Sequence, residues 1–164
     1  LESMLPAEVM VVRVMPNAPS LVGQGMNPVA YGSRVTPEGK AVVSAILASL
    51  GETVQVSDEQ MNWCVGLSGA AMRSLLPVLE GMIKAGMEAG LTPQDARRVA
   101  AQVMLGTAAL ALQTDLSFDE IKMLTPMQTV NEAEVTQIFF QAAKSAREKI
   151  DQVQARLMET FGSI

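Results

Sequence analysis

Histidine is absent from the 164 residues of this chain, and cysteine occurs once, at Cys64. Without histidine the chain can form no Ser-His-Asp or Cys-His nucleophilic system, no histidine-ligated zinc site and no imidazole pH switch. A single cysteine also excludes an intramolecular disulfide and a Cys-x-x-Cys metal-binding motif. We therefore predict no metal site, and we interpret Cys64, beside Trp63 in an apolar stretch, as a packing residue rather than a nucleophile.

Charge is scarce as well, since Asp, Glu, Lys and Arg make up only 18% of the chain, against about 25% in an ordinary soluble domain. The 17 acidic and 12 basic residues give a net charge of −5, which argues against nucleic acid or an anionic membrane as a partner. Hydrophobic residues make up 49%, and 12 of them are methionines. Because such flexible apolar side chains fill gaps between packed helices, the composition predicts a buried interface between copies of the chain.

Long uninterrupted hydrophobic runs are missing. The longest uncharged run, residues 14–33, contains three prolines, and the next, residues 99–114, is too short to cross a bilayer. We predict no membrane span. The first residues show no basic region followed by an apolar one, so we expect no signal peptide and a cytoplasmic protein. Because the chain opens at Leu1, we also expect its native beginning to lie upstream.

The first third of the sequence has the pattern of a small α/β segment. Residues 8–15 are rich in β-branched side chains and stop at Pro-Asn, residues 16–17, which predicts a strand and a turn. The next 20 residues are predicted as a loop. Thr-Pro at residues 36–37 is typical of a helix start, and the helix is predicted to stop at Gly51, before a strand over residues 52–56. This β-loop-α-β pattern is too small to form a sheet domain by itself.

In the rest of the chain apolar residues recur at spacings of three and four, which is the period of helices. An amphipathic helix is predicted over residues 72–90, with Pro77 either kinking it or marking its first turn, and with Gly90 as its C-cap. Residues 92–95, Thr-Pro-Gln-Asp, resemble a capping box in which Asp replaces the usual Glu. They predict the start of a second helix over residues 93–113.

Two helices are more apolar or longer than a single subunit requires. Beyond Arg98 the second helix is apolar on every side, so it must be enclosed by protein. A last helix is predicted over residues 131–161, at 1.5 Å per residue roughly 45 Å long, and we expect it to reach across a partner. Its apolar seam consists of Val135, Ile138, Phe139, Ala142, Ala146, Ile150, Val153, Leu157 and Phe161.

Three stretches carry a resemblance to a known family. The first is Arg-Val-Met-Pro-Asn-Ala-Pro at residues 13–19, followed by Leu-Val-Gly-Gln-Gly-Met at residues 21–26. The second is residues 50–69, which run from Leu-Gly-Glu to Gly-Leu-Ser-Gly. The third and most specific is residues 90–106, which contain Gly-Leu-Thr-Pro and Ala-Arg-Arg-Val-Ala-Ala-Gln. In order and spacing, these stretches resemble the C-terminal part of pyrroline-5-carboxylate reductases.

The resemblance implies a mainly α fold. A helical dimerisation domain of the 6-phosphogluconate-dehydrogenase-like C-terminal type is expected over residues 58–164, preceded over residues 1–57 by the β-loop-α-β end of a Rossmann domain. The implied reaction is delivery of a hydride from NADPH or NADH to the C=N carbon of pyrroline-5-carboxylate, which forms proline, in an interlocked homodimer or higher oligomer. Such a reaction needs little acid-base apparatus, so the absence of histidine is no obstacle.

The nucleotide-binding fingerprint of that family is not in this sequence. The nearest string, Gly-Gln-Gly-Met-Asn-Pro at residues 23–28, has proline where the third glycine belongs and follows no strand-turn-helix unit. We interpret it as a loop. We therefore expect this chain to be a fragment of a longer enzyme whose upstream domain holds most of the NADP or NAD, and to be inactive alone.

The resemblance assigns candidate site residues at two places. Pro16, Asn17 and Ala18 correspond to a turn that lines the cofactor and substrate cleft of the family, although a Pro-Asn turn also ends strands for local reasons. Residues 68–74 keep only the first two residues of the family's Ser-Gly-Ser-Gly-Pro-Ala-Tyr helix start, and they introduce Arg73. Arg73 is a candidate for binding the substrate carboxylate, with an ordinary exposed helical arginine as the alternative.

The substrate loop of the family, Lys-Asp-x-Val-Thr-Ser-Pro-Gly-Gly-Thr-Thr, corresponds to residues 122–130. The correspondence implies substrate contacts from Thr125, Gln128 and Thr129, with Thr129 as the catalytic residue; cap and turn hydroxyls are the alternative for the threonines. This loop is shorter, lacks both glycines and ends in Val130 where the family has threonine. Because glycine permits the close approach on which capture by backbone amides depends, two alternatives stay open: a silent paralogue that only dimerises or recruits a partner, and a reductase for another cyclic imine.

Overall fold

The computed structural model describes residues 2–125 and 127–161, and these form two compact units. The first, here called the sheet unit, comprises Leu1–Met72 and Phe139–Ile164. The second, called the helical unit, comprises Arg73–Ile138. The domain boundary expected after residue 57 does not coincide with this division and stays a prediction.

A three-stranded sheet forms the centre of the sheet unit. Strand β1 (Val12–Val14) pairs antiparallel with β2 (Gly25–Tyr31), and β2 pairs parallel with β3 (Gly51–Gln55), so β2 is the central strand. In this register Arg13 lies opposite Ala30 on the β1 side. The predicted first strand is therefore confirmed as a strand, but it is shorter than residues 8–15.

The central strand β2 lies where the sequence was predicted to be a loop, and that prediction was wrong. A short 3-10 helix, Ala18–Val22, also lies in the same stretch. Pro28 hid the strand because proline normally marks an edge or a break. It is accommodated because β1 ends at Val14, opposite Val29, so that Pro28 only accepts a hydrogen bond there, from the Met15 N–H at 3.1 Å.

Helix α1 (Pro37–Leu47) begins where it was predicted. The Thr36 side chain accepts a hydrogen bond from the Gly39 N–H at 3.1 Å and caps the helix. The helix ends three residues earlier than Leu50. Gly51, with a φ of 125°, then directs the chain into β3, a conformation that glycine adopts without the steric cost of a side chain.

The amphipathic helix that was predicted over residues 72–90 begins further upstream. It starts as α2 (Met61–Cys64), continues through a π-helical segment (Val65–Ala70) and becomes α3 (Ala71–Glu88) without a loop. Pro77 lies inside α3 and does not mark its first turn. Because proline has no N–H, the Arg73 carbonyl receives no helical hydrogen bond from residue 77.

Helix α4 (Pro93–Gln113) confirms the predicted turn and cap. Gly90 has a φ of 90° and follows α3. The Thr92 Oγ1 accepts a hydrogen bond from the Asp95 N–H at 3.1 Å and donates one to Asp95 Oδ2 at 2.7 Å. A Cβ atom on Gly86 would lie 3.0 Å from that of Ala96, so α3 and α4 approach closely.

Two further helices complete the described chain. The connection before the last helix was predicted without secondary structure, but it contains α5 (Phe118–Met123). Helix α6 (Glu132–Phe161) confirms the predicted last helix. Pro126, which the sequence places in the connection, and the Phe161 side chain of the predicted seam lie outside the described residues. In the described part of the chain no helix is long and apolar enough to cross a bilayer.

Fully buried apolar residues are few. In the sheet unit Ala30, Met61 and Cys64 form a cluster against which Met15 and Val56 pack. In the described part of the helical unit only Ala96 and Ala100 are fully buried apolar residues. Burial of apolar surface is the main favourable term in folding, so the helical unit has very little core of its own.

Candidate functional site

The turn that follows β1 is fixed in place by one side chain. Pro16 and Ala18 are exposed, whereas Asn17 is half-buried. The Asn17 Nδ2 donates a hydrogen bond to the Ser68 carbonyl at 3.1 Å, and its Oδ1 accepts one from the Met26 N–H at 3.1 Å. Asn17 therefore joins the turn to the start of β2 and to the π-helical segment.

The π-helical segment lies on the other side of this contact. The Ser68 hydroxyl is buried and donates to the Cys64 carbonyl at 2.8 Å, while Gly66 faces the backbone of Ala143 on α6. π-Helical turns are rare and frequently mark functional sites. Burial raises the pKa of the Cys64 thiol, which makes the reactive thiolate scarcer and agrees with a packing role.

A second chain of hydrogen bonds joins the 3-10 helix that follows the turn to strands β2 and β3. The Ser20 hydroxyl donates to Asn27 Oδ1 at 2.9 Å, and the Asn27 Nδ2 donates to the Glu52 carbonyl at 3.2 Å. Asn27 is completely buried on β2. A buried amide with partners at both ends holds its neighbours in one arrangement, so the backbone from residue 16 to residue 20 has a defined shape.

A polar network beside the turn was not predicted from the sequence. Arg13 forms an ion pair with Asp58 at 2.8 Å and donates to Asn62 Oδ1 at 3.0 Å. The Asn62 Nδ2 donates to Asp151 Oδ1 at 2.8 Å and to Gln154 Oε1 at 2.7 Å, both on α6. The network thus connects β1 to the last helix. Arg13 lies in the first matched stretch, but nothing in the spacing indicates that its partners are almost 50 residues away.

The network continues along α6 and borders a cavity. Arg147 pairs with Asp151 at 3.0 Å, and its guanidinium lies 4.9 Å from the centre of the Trp63 ring. A cavity of about 810 Å³ lies against β1, and Arg13, Tyr31 and Gln154 are among the residues that line it. None of the site residues expected from the sequence lines this cavity, so it is not the candidate site.

The remaining candidate residues belong to the helical unit. Arg73 is exposed on α3, and its side chain makes no ion pair or hydrogen bond to any residue that the structure describes. Thr125, Gln128 and Thr129 are exposed in the irregular segment after α5, where the Thr125 N–H donates to the Lys122 carbonyl at 3.0 Å. The structure therefore places Pro16, Asn17 and Ala18 in one unit and these four residues in the other.

An ion pair closes the loop that carries these residues. The Lys122 Nζ lies 2.9 Å from Glu132 Oε2 and 3.6 Å from Asp119 Oδ1. The hydrogen bond from Lys122 to Glu132 and the charge of that carboxylate raise the pKa of Lys122. The lysine is thus charged throughout the neutral range, and the last turn of α5 is held to the first turn of α6.

The sequence relationship of the helices decides the family. Residues 58–153 match the family model described as pyrroline-5-carboxylate reductase dimerisation. The chain belongs to the pyrroline-5-carboxylate reductase family. It is 39% identical over 112 residues to the pyrroline-5-carboxylate reductase of Mycobacterium tuberculosis, an alignment that covers 68% of this chain and 38% of that protein. With the Corynebacterium melassecola enzyme of the same name it shares 26% identity over 162 residues, covering 93% of this chain and 60% of the relative.

Solved structures of similar fold have the same names. The pyrroline-5-carboxylate reductase of Coxiella burnetii superposes with a TM-score of 0.77 and 24% identity, covering 92% of this chain and 60% of that one. The pyrroline carboxylate reductase of Plasmodium falciparum, solved with NADP bound, gives 0.78 and 24% identity over 90% of this chain and 62% of that one. The chain thus has the fold of a part of these structures, and it spans less than two thirds of the length of these relatives.

The described residues fit only one part of a nicotinamide nucleotide site. The turn after β1 exposes Pro16 and Ala18, and the two hydrogen bonds of Asn17 hold the backbone between them. The glycines at residues 23 and 25 form no phosphate loop. Gly23, with a φ of 68°, ends a 3-10 helix, and Gly25 starts a strand instead of a helix.

Proposed function

We propose that the protein containing this chain is an NADPH- or NADH-dependent reductase of a cyclic imine, pyrroline-5-carboxylate, and that this chain supplies its helical dimerisation domain and the turn facing the nicotinamide. The match of residues 58–153 to the dimerisation model of the family carries the proposal. The shape of the turn after β1 supports it, because the Asn17 side chain holds that turn to two other segments while Pro16 and Ala18 stay exposed. When bound, the reduced nicotinamide supplies the hydride that adds to the C=N carbon.

Each candidate residue has a proposed part in this reaction. Pro16 and Ala18 present their backbone to the nicotinamide, while Asn17 holds the turn between them. Thr125, Gln128 and Thr129 lie exposed on a loop whose ends are closed by an ion pair, and we assign them to the imine, with Thr129 as the catalytic residue that donates a hydrogen bond to it. Arg73 is the candidate partner of the substrate carboxylate, because a free guanidinium binds carboxylates with two parallel hydrogen bonds.

Self-association is the second part of the proposal. The long helices expose apolar side chains that a partner would cover, notably Leu105 and Leu112 on α4 and Ile138 on α6. Patches of this kind mark interfaces. We propose that the native molecule is a homodimer. We also propose that it occupies the cytoplasm.

A second candidate function follows from the loop between α5 and α6. It lacks two glycines of the family pattern and has Val130, 57% exposed, in place of the last threonine. Without glycine the backbone amides cannot approach a substrate as closely. The alternatives are therefore a silent relative that only self-associates or recruits a partner, and a reductase for a different cyclic imine.

Turnover by the protein that contains this chain tests the proposal. With NADPH or NADH and pyrroline-5-carboxylate we expect oxidation of the nucleotide and formation of proline, and Thr129→Val should lower kcat while Thr53→Val, at an exposed position of β3, leaves it unchanged. Turnover with another cyclic imine but not with pyrroline-5-carboxylate would mean that the other imine is the substrate. Absence of turnover with every cyclic imine would reject the proposal that the protein is a reductase.

Restoring the family loop separates a decayed enzyme from a binding protein. The triple variant Met127→Gly, Gln128→Gly, Val130→Thr recreates the two glycines and the last threonine. A gain of turnover in an otherwise inactive protein favours a decayed reductase. Unchanged inactivity in a folded, self-associated variant favours the interaction module.

A further inference from the structure

The Asn17 side chain occupies an unusual position between three chain segments. It makes two hydrogen bonds, each 3.1 Å long. Its Nδ2 donates to the Ser68 carbonyl, and its Oδ1 accepts from the Met26 N–H. Ser68 lies 51 residues away in the sequence. One amide therefore determines how the turn after β1 sits on the π-helical segment.

We propose that Asn17 is a positioning residue for the nicotinamide nucleotide. It acts by fixing the backbone of Pro16 and Ala18 against the π-helical segment, and its own side chain does not contact the nucleotide. The inference rests on the proposed function, which it deepens. It differs from the role expected from the sequence, in which Asn17 itself binds the cofactor.

The direction of the two hydrogen bonds carries the argument. The Asn17 side chain points to Ser68 and Met26 rather than out of the turn, whereas Pro16 and Ala18 on either side are exposed. The atoms left to face a ligand at this turn are the backbone groups and side chains of those two neighbours. A group that orients such atoms matters because small displacements of a binding backbone weaken every contact it makes.

The π-helical segment gives the anchor its rigidity. The Gly66 backbone lies directly against Ala143, with no room for a side chain, and the buried Ser68 hydroxyl is bonded within the segment. The carbonyl that Asn17 reaches therefore belongs to a backbone packed from two sides. A turn bonded to it has little freedom to shift.

Only an amide satisfies both partners. A carboxylate of the same shape can accept from the Met26 N–H but cannot donate to the Ser68 carbonyl. Asn17→Asp therefore breaks one bond and preserves the other without changing the volume. The matched control is Ser49→Ala, which removes a side-chain hydrogen bond to the Ile46 carbonyl at the end of α1, outside the turn, and leaves the contact between Asn17 and Ser68 intact.

The first measurement uses no turnover. Amide hydrogen exchange of the protein containing this chain should become faster at residues 17 and 18 and at residues 65–70 in Asn17→Asp, because the bond holding these segments together is lost. Ser49→Ala should leave exchange at both places as it is in the wild type. Unchanged exchange at residues 65–70 in Asn17→Asp would overturn the inference at its structural step.

The second measurement separates positioning from stability. Asn17→Asp should raise the KM for the nucleotide about tenfold, equivalent to about 1.4 kcal/mol, with kcat and the KM for the imine unchanged. A residue that only supported the fold would lower the melting temperature and leave the nucleotide KM alone, and that outcome overturns the proposal. So does an equal rise of the nucleotide KM in Ser49→Ala.

Failure of the proposed function has a different signature. If the wild-type protein reduces no cyclic imine, the dissociation constant of NADPH, followed by nicotinamide fluorescence, replaces KM. A higher dissociation constant in Asn17→Asp than in the wild type, which means weaker binding, would support the positioning role even in a protein that catalyses no reaction. Equal dissociation constants, with exchange altered, would leave Asn17 a structural residue and overturn the proposal.

Discussion

At the scale of single residues, the glycines of the π-helical segment have different roles. Gly66 is buried, and a Cβ atom there would collide with the carbonyl of Ala143 on α6. Gly69, three residues later, has nothing within 4 Å of the same position. Both glycines lie in the second matched stretch of the sequence, residues 50–69, and only the packing of α6 distinguishes them.

We predict opposite effects of alanine at these two glycines. Gly66→Ala should destabilise the protein by about 1–3 kcal/mol, because the neighbouring backbone must move. Gly69→Ala should be neutral or stabilise it by up to about 1 kcal/mol, since alanine is the better helix former. Urea unfolding at one fixed protein concentration measures both. Equal stabilities of the two variants would contradict the close contact of α6 with the π-helical segment.

A single amide also connects the sheet to α6. Asn62 receives a hydrogen bond from Arg13 and donates to Asp151 and Gln154. Bonds to charged groups contribute more than neutral ones, and removing one partner leaves the others unsatisfied. Asn62 therefore matters more to stability than the ion pairs on the surface around it.

The expected loss on Asn62→Leu is about 1–2 kcal/mol of stability. Trp63 fluorescence should change in the same variant, because Asp151 loses its bond to Asn62 and can shift together with Arg147, its ion-pair partner, which lies over the single indole. Lys144→Ala is the control, since its pair with Glu148 is long, at 3.9 Å, and exposed, and such pairs contribute little. An effect of Lys144→Ala as large as that of Asn62→Leu would contradict the network.

At the scale of elements, local signals and distant contacts explain different helices. The starts of α1 and α4 could be predicted because a threonine cap and a following proline act within four residues. Strand β2 could not, because what makes Pro28 tolerable is the end of a neighbouring strand. Helix α5 has a complete capping box at Ser117 and Glu120, a local signal that the sequence interpretation overlooked.

The capping box predicts a pH dependence for α5. The Ser117 N–H and hydroxyl both donate to the Glu120 carboxylate at 2.8 Å, and the backbone bond, followed by the hydroxyl bond, lowers the pKa of Glu120. A lowered carboxyl pKa means that the stabilisation is present at neutral pH and is lost as the pH falls through the value in the folded state. The protection factors of the amides of residues 118–121, which correct for the slower intrinsic exchange in acid, should therefore fall as the pH falls.

Two variants check the source of that dependence. Glu120→Gln cannot titrate and still accepts a hydrogen bond, so the acid dependence at residues 118–121 should vanish. Glu80→Gln, an exposed residue on α3, should leave it as in the wild type. If the protection factors of α5 still fell in acid in Glu120→Gln, another carboxylate would be responsible.

At the scale of the whole molecule, the balance of apolar surface points to a partner. In the described part of the helical unit only two alanines are fully buried apolar residues, while Leu105 is 62% and Leu112 is 85% exposed. The scarcity of charge and abundance of methionine have the same implication. Such helices gain their stability by packing an apolar face, and here most of that face is open to solvent.

We predict self-association at low micromolar concentration, measured by sedimentation. The double variant Leu105→Glu, Leu112→Glu should sediment as a smaller species, because two charges would have to be desolvated in the interface. Gln94→Glu adds a charge in the first turn of α4, where it suits the helix dipole, and should not change the assembly. A well-folded single wild-type subunit under these conditions would reject the interlocked homodimer.

The sequence by itself determined the helical class of residues 58–161, the caps of α1 and α4, and the family, because all three depend on residues close together in the chain. Tertiary structure decided the rest. Pro28 lies in a central strand because β1 ends beside it, Arg13 reaches α6 through Asn62, and Asn17 turns its amide away from the exposed face of its turn towards Ser68. Each of these depends on a partner dozens of residues away or on a neighbouring strand, and periodicity and local propensity contain no information about such distances.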